Sequence, residues 1–141
     1  MQAAIEQARI GMRTDGIPIG SVLVLDGEII GRGHNQRLQK GSVIRHAEMD
    51  CLENAGRREA KEYRRCVLYS TLSPCDMCSG ASLLYGIPEI VIGENRTFRG
   101  PEEYLERRGV RLRIVDDSAC REMMEHFISQ NPDEWNEDIG E

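Results

Sequence analysis

Cys66-Val67-Leu68-Tyr69-Ser70-Thr71-Leu72, followed by Ser73-Pro74-Cys75-Asp76-Met77-Cys78 and later by Glu89-Ile90-Val91-Ile92-Gly93, decides how this chain folds. The first run is β-rich and ends before Pro74, which cannot donate to a ladder but suits the first turn of a helix. A helix from Cys75 to Tyr85 follows, Gly86-Ile87-Pro88 closes it, and a tight connection leads into the second β-run. Strand, helix and strand in that order imply a parallel pair.

Upstream, Ser21-Val22-Leu23-Val24-Leu25 and Glu28-Ile29-Ile30-Gly31-Arg32-Gly33 flank Asp26-Gly27, a strong hairpin signal. Ala4, Ile5, Ala8 and Met12 recur at helical spacing before Thr14-Asp15-Gly16, predicting a first helix over 1–14. His34 to Ile44 has no clear period and reads as a loop. From His46 to about Arg58, Ala47, Cys51, Leu52 and Ala55 fall on one helical stripe, with Gly56 where such a helix would stop. Downstream, a short helix from about Pro101 to Arg107 precedes Val110 to Val115, which alternates with period two like an edge strand. Cys120, Met123, Met124, Phe127 and Ile128 mark a helix lying on the sheet, and the acidic tail from Asn131 to Glu141 has no period. The expected fold is a three-layer α/β/α sandwich around a five-stranded mixed sheet that opens with an antiparallel hairpin. Ligands in such sheets sit at the carboxyl ends of parallel strands.

With 141 residues, 40% hydrophobic and 30% charged, the composition is that of one compact soluble domain spanning 1–141. No apolar run reaches the roughly 20 residues needed to cross a bilayer, and the N-terminus has no secretory pattern. A reducing, cytoplasmic setting is the resulting expectation. The formal charge of −6 opposes binding to a phosphate backbone and favours a small substrate over nucleic acid.

Two of the five cysteines, Cys75 and Cys78, lie one turn apart at a helix start, where both sulfurs can face one zinc ion. His46 would be the third ligand, leaving the fourth position for water; a structural site is usually closed by a fourth protein ligand. Two thiolates cancel the charge of the ion, and two helix N-termini face the same point. Glu48, two residues from His46, is the expected general acid/base. On a regular helix those two side chains would diverge, so His46 must sit at the non-helical edge of the first turn. The alternatives are a structural zinc knuckle or a thioredoxin-like redox pair; the latter suffers from Pro74 before the first cysteine and leaves His46 and Glu48 without a task.

His46-Ala47-Glu48 with Pro74-Cys75-Asp76-Met77-Cys78 matches the H-x-E and P-C-x-x-C signature of zinc deaminases. Within that group the chain resembles the fungal-type cytosine deaminases. The resemblance runs through Ile17-Pro18-Ile19-Gly20, Gly31-Arg32-Gly33-His34-Asn35, Gln39-Lys40-Gly41-Ser42, Leu72 to Cys78, Tyr85-Gly86-Ile87-Pro88, Gly93-Glu94-Asn95 and the tail Trp135 to Glu141. It implies a cytidine deaminase-like fold, one zinc per subunit, a homodimer and a place in pyrimidine salvage. It also implies deamination of free cytosine by a zinc-bound hydroxide, with Glu48 shuttling the proton. By the same similarity Asn35 and the backbone near Ala47 would hold the base. Asp138 would accept from its amine, and Phe98 and Trp135 would wall the pocket. Four positions depart from that family: Arg45 and Ala47 stand where a leucine and a glycine are expected, Leu38 replaces an aromatic, and Asn136 replaces a phenylalanine. They put the preferred base in question, and a deaminase for another aminopyrimidine or purine base, or for a nucleoside or nucleic acid, is the alternative.

Other residues read more plainly. Cys51, Cys66 and Cys120 belong to the core, His126 to solvent and His34 to a structural hydrogen bond. Arg107, Arg108, Arg111 and Arg113 guard an edge strand.

Overall fold

The computed structural model describes residues 1–141. Helix α1 (Gln2–Arg13) leads into β1 (Gly20–Leu25) and β2 (Glu28–His34), then α2 (Arg37–Lys40), α3 (Ala47–Ala55) and α4 (Ala60–Tyr63). Strand β3 (Cys66–Leu72), α5 (Asp76–Tyr85), β4 (Glu89–Glu94), α6 (Glu102–Arg107), β5 (Arg111–Ile114), α7 (Ser118–Gln130) and α8 (Pro132–Ile139) complete the chain. The sheet order is β2-β1-β3-β4-β5, with β1 antiparallel to both β2 and β3 and the pairs β3–β4 and β4–β5 parallel. The mixed five-stranded sheet expected from the sequence is therefore present.

The hairpin turns at Asp26 and Gly27, both at positive φ (50° and 89°), the conformation whose twist suits two antiparallel strands. Helix α3 packs on Gly31 and Gly33, and a Cβ at Gly33 would stand 2.3 Å from the Cys51 nitrogen, so only glycine lets the helix approach. Helices α1 and α7 cover the opposite face, α1 over β1 and α7 over β4. One apolar cluster gathers Leu23, Cys51, Leu68, Ile90 and Leu105 on the α3 side. The other joins Ile17, Ile19, Ala47, Leu72, Met124, Phe127 and Trp135, and so links the segment leading into the first strand to the last two helices.

Three segments differ from the sequence reading. The stretch expected to be a loop from His34 to Ile44 finishes β2 and then makes the helical turn α2, stopped by Gly41 in the left-handed conformation. Helix α3 ends at Ala55 rather than near Arg58, with Gly56 as its stop, and α4 follows on a reciprocal Glu59–Glu62 capping box. The tail is helical: Pro132 opens α8, Asp133 and Glu134 occupy its first turn, and Gly140 ends it at φ 81°. Those cues are legible, but the helix buries only Trp135 and Asp138, too few positions to produce a visible period. Cys51, Cys66 and Cys120 are buried and His126 is exposed, as expected.

Candidate active site

The site forms where the carboxyl end of β3 meets the N-termini of α3 and α5. His46 is the N-cap of α3 with φ −65° and ψ 160°, an extended residue and not a helical one. That conformation turns its ring back towards the point that Glu48 also faces, and so meets the condition set by the two-residue spacing. Cys75 is likewise an extended N-cap, φ −68° and ψ 177°, placing its sulfur beside that of Cys78 one turn on. The ligand atoms of His46, Cys75 and Cys78 lie within 4.8 Å of one another. His46 Nδ1 is 3.5 Å from Cys75 Sγ, while its Nε2 points away, to Asp138 Oδ1 at 3.7 Å.

The donor set is prepared for a cation. A hydrogen bond from Cys78, with another from His46, brings Cys75 down to about 4, whereas the same contact and burial push Cys78 well above the ordinary thiol range. Burial disfavours a charge on His46, but its bond to Cys75 and the adjacent Asp138 hold its pKa above the usual value. One imidazole and two sulfurs in this arrangement fit tetrahedral zinc with one position left open.

Glu48 is buried at 4% exposure, and its Oε1 accepts a 2.6 Å hydrogen bond from Ser70 Oγ on β3. Burial raises its pKa, and the Ser70 bond opposes the rise only in part. Such a carboxyl holds and releases a proton closer to neutrality than a solvated one.

His46, Ala47, Glu48, Cys75, Phe98, Trp135 and Asp138 line a single cavity, completed by Ile19, Leu72, Ser73 and Ile139. Phe98 and Trp135 meet edge to face with centroids 5.9 Å apart. Ala47 makes no hydrogen bond through its N–H, the first amide of α3. Cys78 lies behind Cys75, fully buried. Asn35 is also fully buried but stands behind the cavity wall, its Nδ2 donating to Asp138 Oδ1 at 3.0 Å.

Several contributors were not visible in the sequence. Arg37 Nη1 donates to Asp138 Oδ1 at 3.2 Å, so a residue from the supposed loop holds the carboxylate of α8. Ser70 orients Glu48. Ser73 Oγ donates to Glu102 and accepts from the Gly100 N–H, tying down the arm that carries Phe98. Buried Glu94 accepts from the Arg96 and Thr97 amides and from the Thr97 hydroxyl at the root of that arm. Ser73 and Glu94 stand in stretches that carry the family resemblance, but neither spacing nor residue type marks their roles; each contributor acts through a partner distant in sequence or in a turn.

A profile of the cytidine and deoxycytidylate deaminase zinc-binding region matches residues 1–94. The chain belongs to that family. Over its whole length this deaminase is 49% identical to a cytosine deaminase from Candida albicans, covering 95% of that protein. It is 36% identical to a tRNA-specific adenosine deaminase from Streptococcus pyogenes, over 92% of this chain and 88% of the relative. Among solved structures, a tRNA:A34 deaminase that edits the wobble position superposes with a TM-score of 0.74 at 28% identity, over 87% of this chain and 96% of the other. A guanine deaminase from Nitrosomonas europaea shares the fold, with a TM-score of 0.68 at 21% identity over 89% and 81%. Zinc is the family's cofactor, and the three donors of this deaminase suit it.

Of the four positions at which the deaminase departs from the fungal-type pattern, only Ala47 lines the cavity. Arg45 turns to Asp50, Leu38 lies in a separate cleft beside Met12 and Phe127, and Asn136 is exposed. No helix of this deaminase is long and apolar enough to cross a membrane.

Proposed function

We propose that this deaminase converts the free base cytosine to uracil and ammonia, with His46, Cys75 and Cys78 holding the zinc and Glu48 as the catalytic residue. The observation that carries the reading is the position of α8 along the metal-side cavity: Trp135, Asp138 and Ile139 line it together with Glu48 and narrow it to a small, partly open space. Phe98 and Trp135, in edge-to-face contact with each other, form an aromatic wall against which a flat base packs, whereas a ribose or a polynucleotide would have to displace that helix. The Candida albicans relative, named as a cytosine deaminase, supports the same choice.

Zinc, when bound, lowers the pKa of water towards about 7. Glu48 takes the proton released and delivers it to N3 of the base as oxygen adds to C4. The ring carbon is then tetrahedral; Glu48 takes the proton of the new C4 hydroxyl and passes it to the exocyclic amine, and as the C4–N bond breaks the C4=O bond forms and ammonia leaves. The free Ala47 N–H holds the base directly, and Asn35, from behind the wall, acts through its 3.0 Å bond to Asp138 Oδ1. Three groups converge on Asp138 Oδ1, so Oδ2 is left to accept from the amine. Phe98 and Trp135 exclude bulk water from the reacting carbon.

The same reading places the protein as a single-domain enzyme of pyrimidine salvage in the cytoplasm, where its free thiols stay reduced. It also makes it a homodimer. Leu84 at 79% exposure and Val43 at 75% are apolar surface that a second subunit would cover.

The test is ammonia release by the zinc-loaded protein from cytosine, cytidine, adenine and guanine in parallel, with Glu48→Gln as control. Turnover of cytosine alone, abolished in the control, is the expected result. Turnover of another base in its place would overturn the substrate assignment and point first to Ala47.

A further inference from the structure

Residues 36–45 form a closed loop whose two ends meet: the Gln36 N–H donates to the Arg45 carbonyl at 2.9 Å. Asn35 enters this loop and His46 leaves it, so its neck sets the distance between the residue that holds the Asp138 carboxylate and a metal-holding residue. The neck is seated on one side chain. Asp50, only 1% exposed, accepts from Arg45 Nη1 on Oδ1 at 2.8 Å and from Gln36 Nε2 on Oδ2 at 2.8 Å. Its Oδ2 also accepts from the His34 N–H at 3.3 Å, at the end of β2, and from Asn54 Nδ2 at 3.3 Å, one turn along α3. The Asp50 amide meanwhile donates to the His46 carbonyl at 2.9 Å, the first bond of α3. One residue thus touches both strands of the neck and the N-cap that carries the metal ligand.

We propose that Asp50 is a positioning residue that fixes His46 and Asn35 relative to each other, and thereby sets zinc retention and base affinity together. This deepens the cytosine reading and rests on it for the base-affinity part alone. The geometry also accounts for Arg45, a residue out of keeping with the fungal-type pattern: its guanidinium supplies the cation that a buried carboxylate needs, while remaining 35% exposed at the surface end. Asp50 touches neither metal nor substrate; it acts through the backbone of the neck. Freed from it, the residue before His46 would keep only its carbonyl's bond to the Gln36 N–H and no hydrogen bond to α3, and the extended N-cap conformation would have less to hold it.

The experiment uses holoenzyme and three variants: Asp50→Asn, which keeps the shape but removes the charge and one acceptor, Arg45→Met, and Val110→Ala. Val110 lies in the core cluster on the α3 side, outside the metal cavity, and reports plain destabilisation. Zinc affinity is read by competition with a chromophoric chelator, and KM and kcat are measured with cytosine. Asp50→Asn is expected to weaken zinc binding by roughly 10- to 100-fold, the range for groups supporting a metal ligand, and to raise KM more than it lowers kcat. Arg45→Met should do the same to a smaller degree, with Arg45→Lys restoring part of it. Val110→Ala should lower the melting temperature with zinc affinity intact. If Asp50→Asn does not fold, Arg45→Met together with Gln36→Leu carries the test. Zinc affinity and KM within twofold of the parent protein, with only the melting temperature reduced, would overturn the proposal. A parent protein inactive on cytosine would sink the substrate reading, while the chelator competition would still decide the role of Asp50.

Discussion

His46 Nε2 lies 3.7 Å from Asp138 Oδ1, so the histidine of the metal site and the carboxylate of the last helix face each other across the pocket. Nδ1 is turned to the Cys75 sulfur, so with zinc held there the far nitrogen would carry its proton towards a carboxylate, the arrangement that fixes a ligating imidazole's tautomer and raises its basicity. On the proposed reading Asp138 serves both the metal and the substrate. Asp138→Ala should lower zinc affinity by about 10-fold or more and kcat/KM by a larger factor, since amine recognition goes with it. Chelator competition and steady-state kinetics on one preparation check both.

Glu48→Gln keeps the volume and the Ser70 contact but cannot move a proton. Activity should fall at least the roughly 10²- to 10⁴-fold typical of general acid/base catalysis, with bound zinc unchanged by metal analysis. Ser70→Ala should lower kcat less, because it removes the orienting bond and leaves the carboxylate.

Gly100 approaches the Pro74 carbonyl so closely that a Cβ would stand 1.9 Å from that oxygen. Gly100→Ala must push the Phe98 arm off the metal-bearing turn. The expected cost is about 1–3 kcal/mol of stability, with KM raised more than kcat is lowered. Urea unfolding and a KM titration separate the two effects.

Removing zinc should expose one reactive thiol before the others. In the metal-free protein Cys75 has a pKa of about 4, whereas burial pushes Cys51 and Cys120 up to about 12 and raises Cys66. Iodoacetamide at pH 6 should label Cys75 in the chelator-treated protein and leave those three unmodified, as read by peptide mass spectrometry.

The same two core thiols set an alkaline limit. In the unfolded chain Cys51 and Cys120 titrate near 8.5, and in the folded protein near 12, so their contribution is complete below about pH 8.5. As pH rises through that window the unfolded state loses protons that the folded state keeps, and stability falls by up to about 1.4 kcal/mol per pH unit for each thiol. Urea midpoints between pH 8 and 11 should decline, and less steeply in Cys51→Ala.

How far the sequence could be read depended on the range of the interaction. Asp26-Gly27, the β-run into Pro74, and the stripe of Met124 and Phe127 are local patterns, and each produced the element it predicted. The metal donors were legible for a related reason: a C-x-x-C at a helix start and an H-x-E that works only if the histidine is an N-cap are constraints of one turn. Even the need for His46 to be extended followed from a spacing of two residues.

Tertiary structure alone decided what those residues meet. Helix α8 has start and stop signals but buries too little to show a period, and its place over the cavity comes from Trp135 packing with Ile17, Ile19 and Leu72. Arg37, Ser70, Asp50, Glu94 and Glu102 look like ordinary polar residues in sequence, because a hydrogen bond to a distant partner leaves no local mark. Of the four unusual positions, the fold turned Arg45, Leu38 and Asn136 away from the pocket and left only Ala47 inside it. Short-range geometry wrote the chemistry into the sequence, while the shape and closure of the pocket arose when segments far apart in the chain packed together.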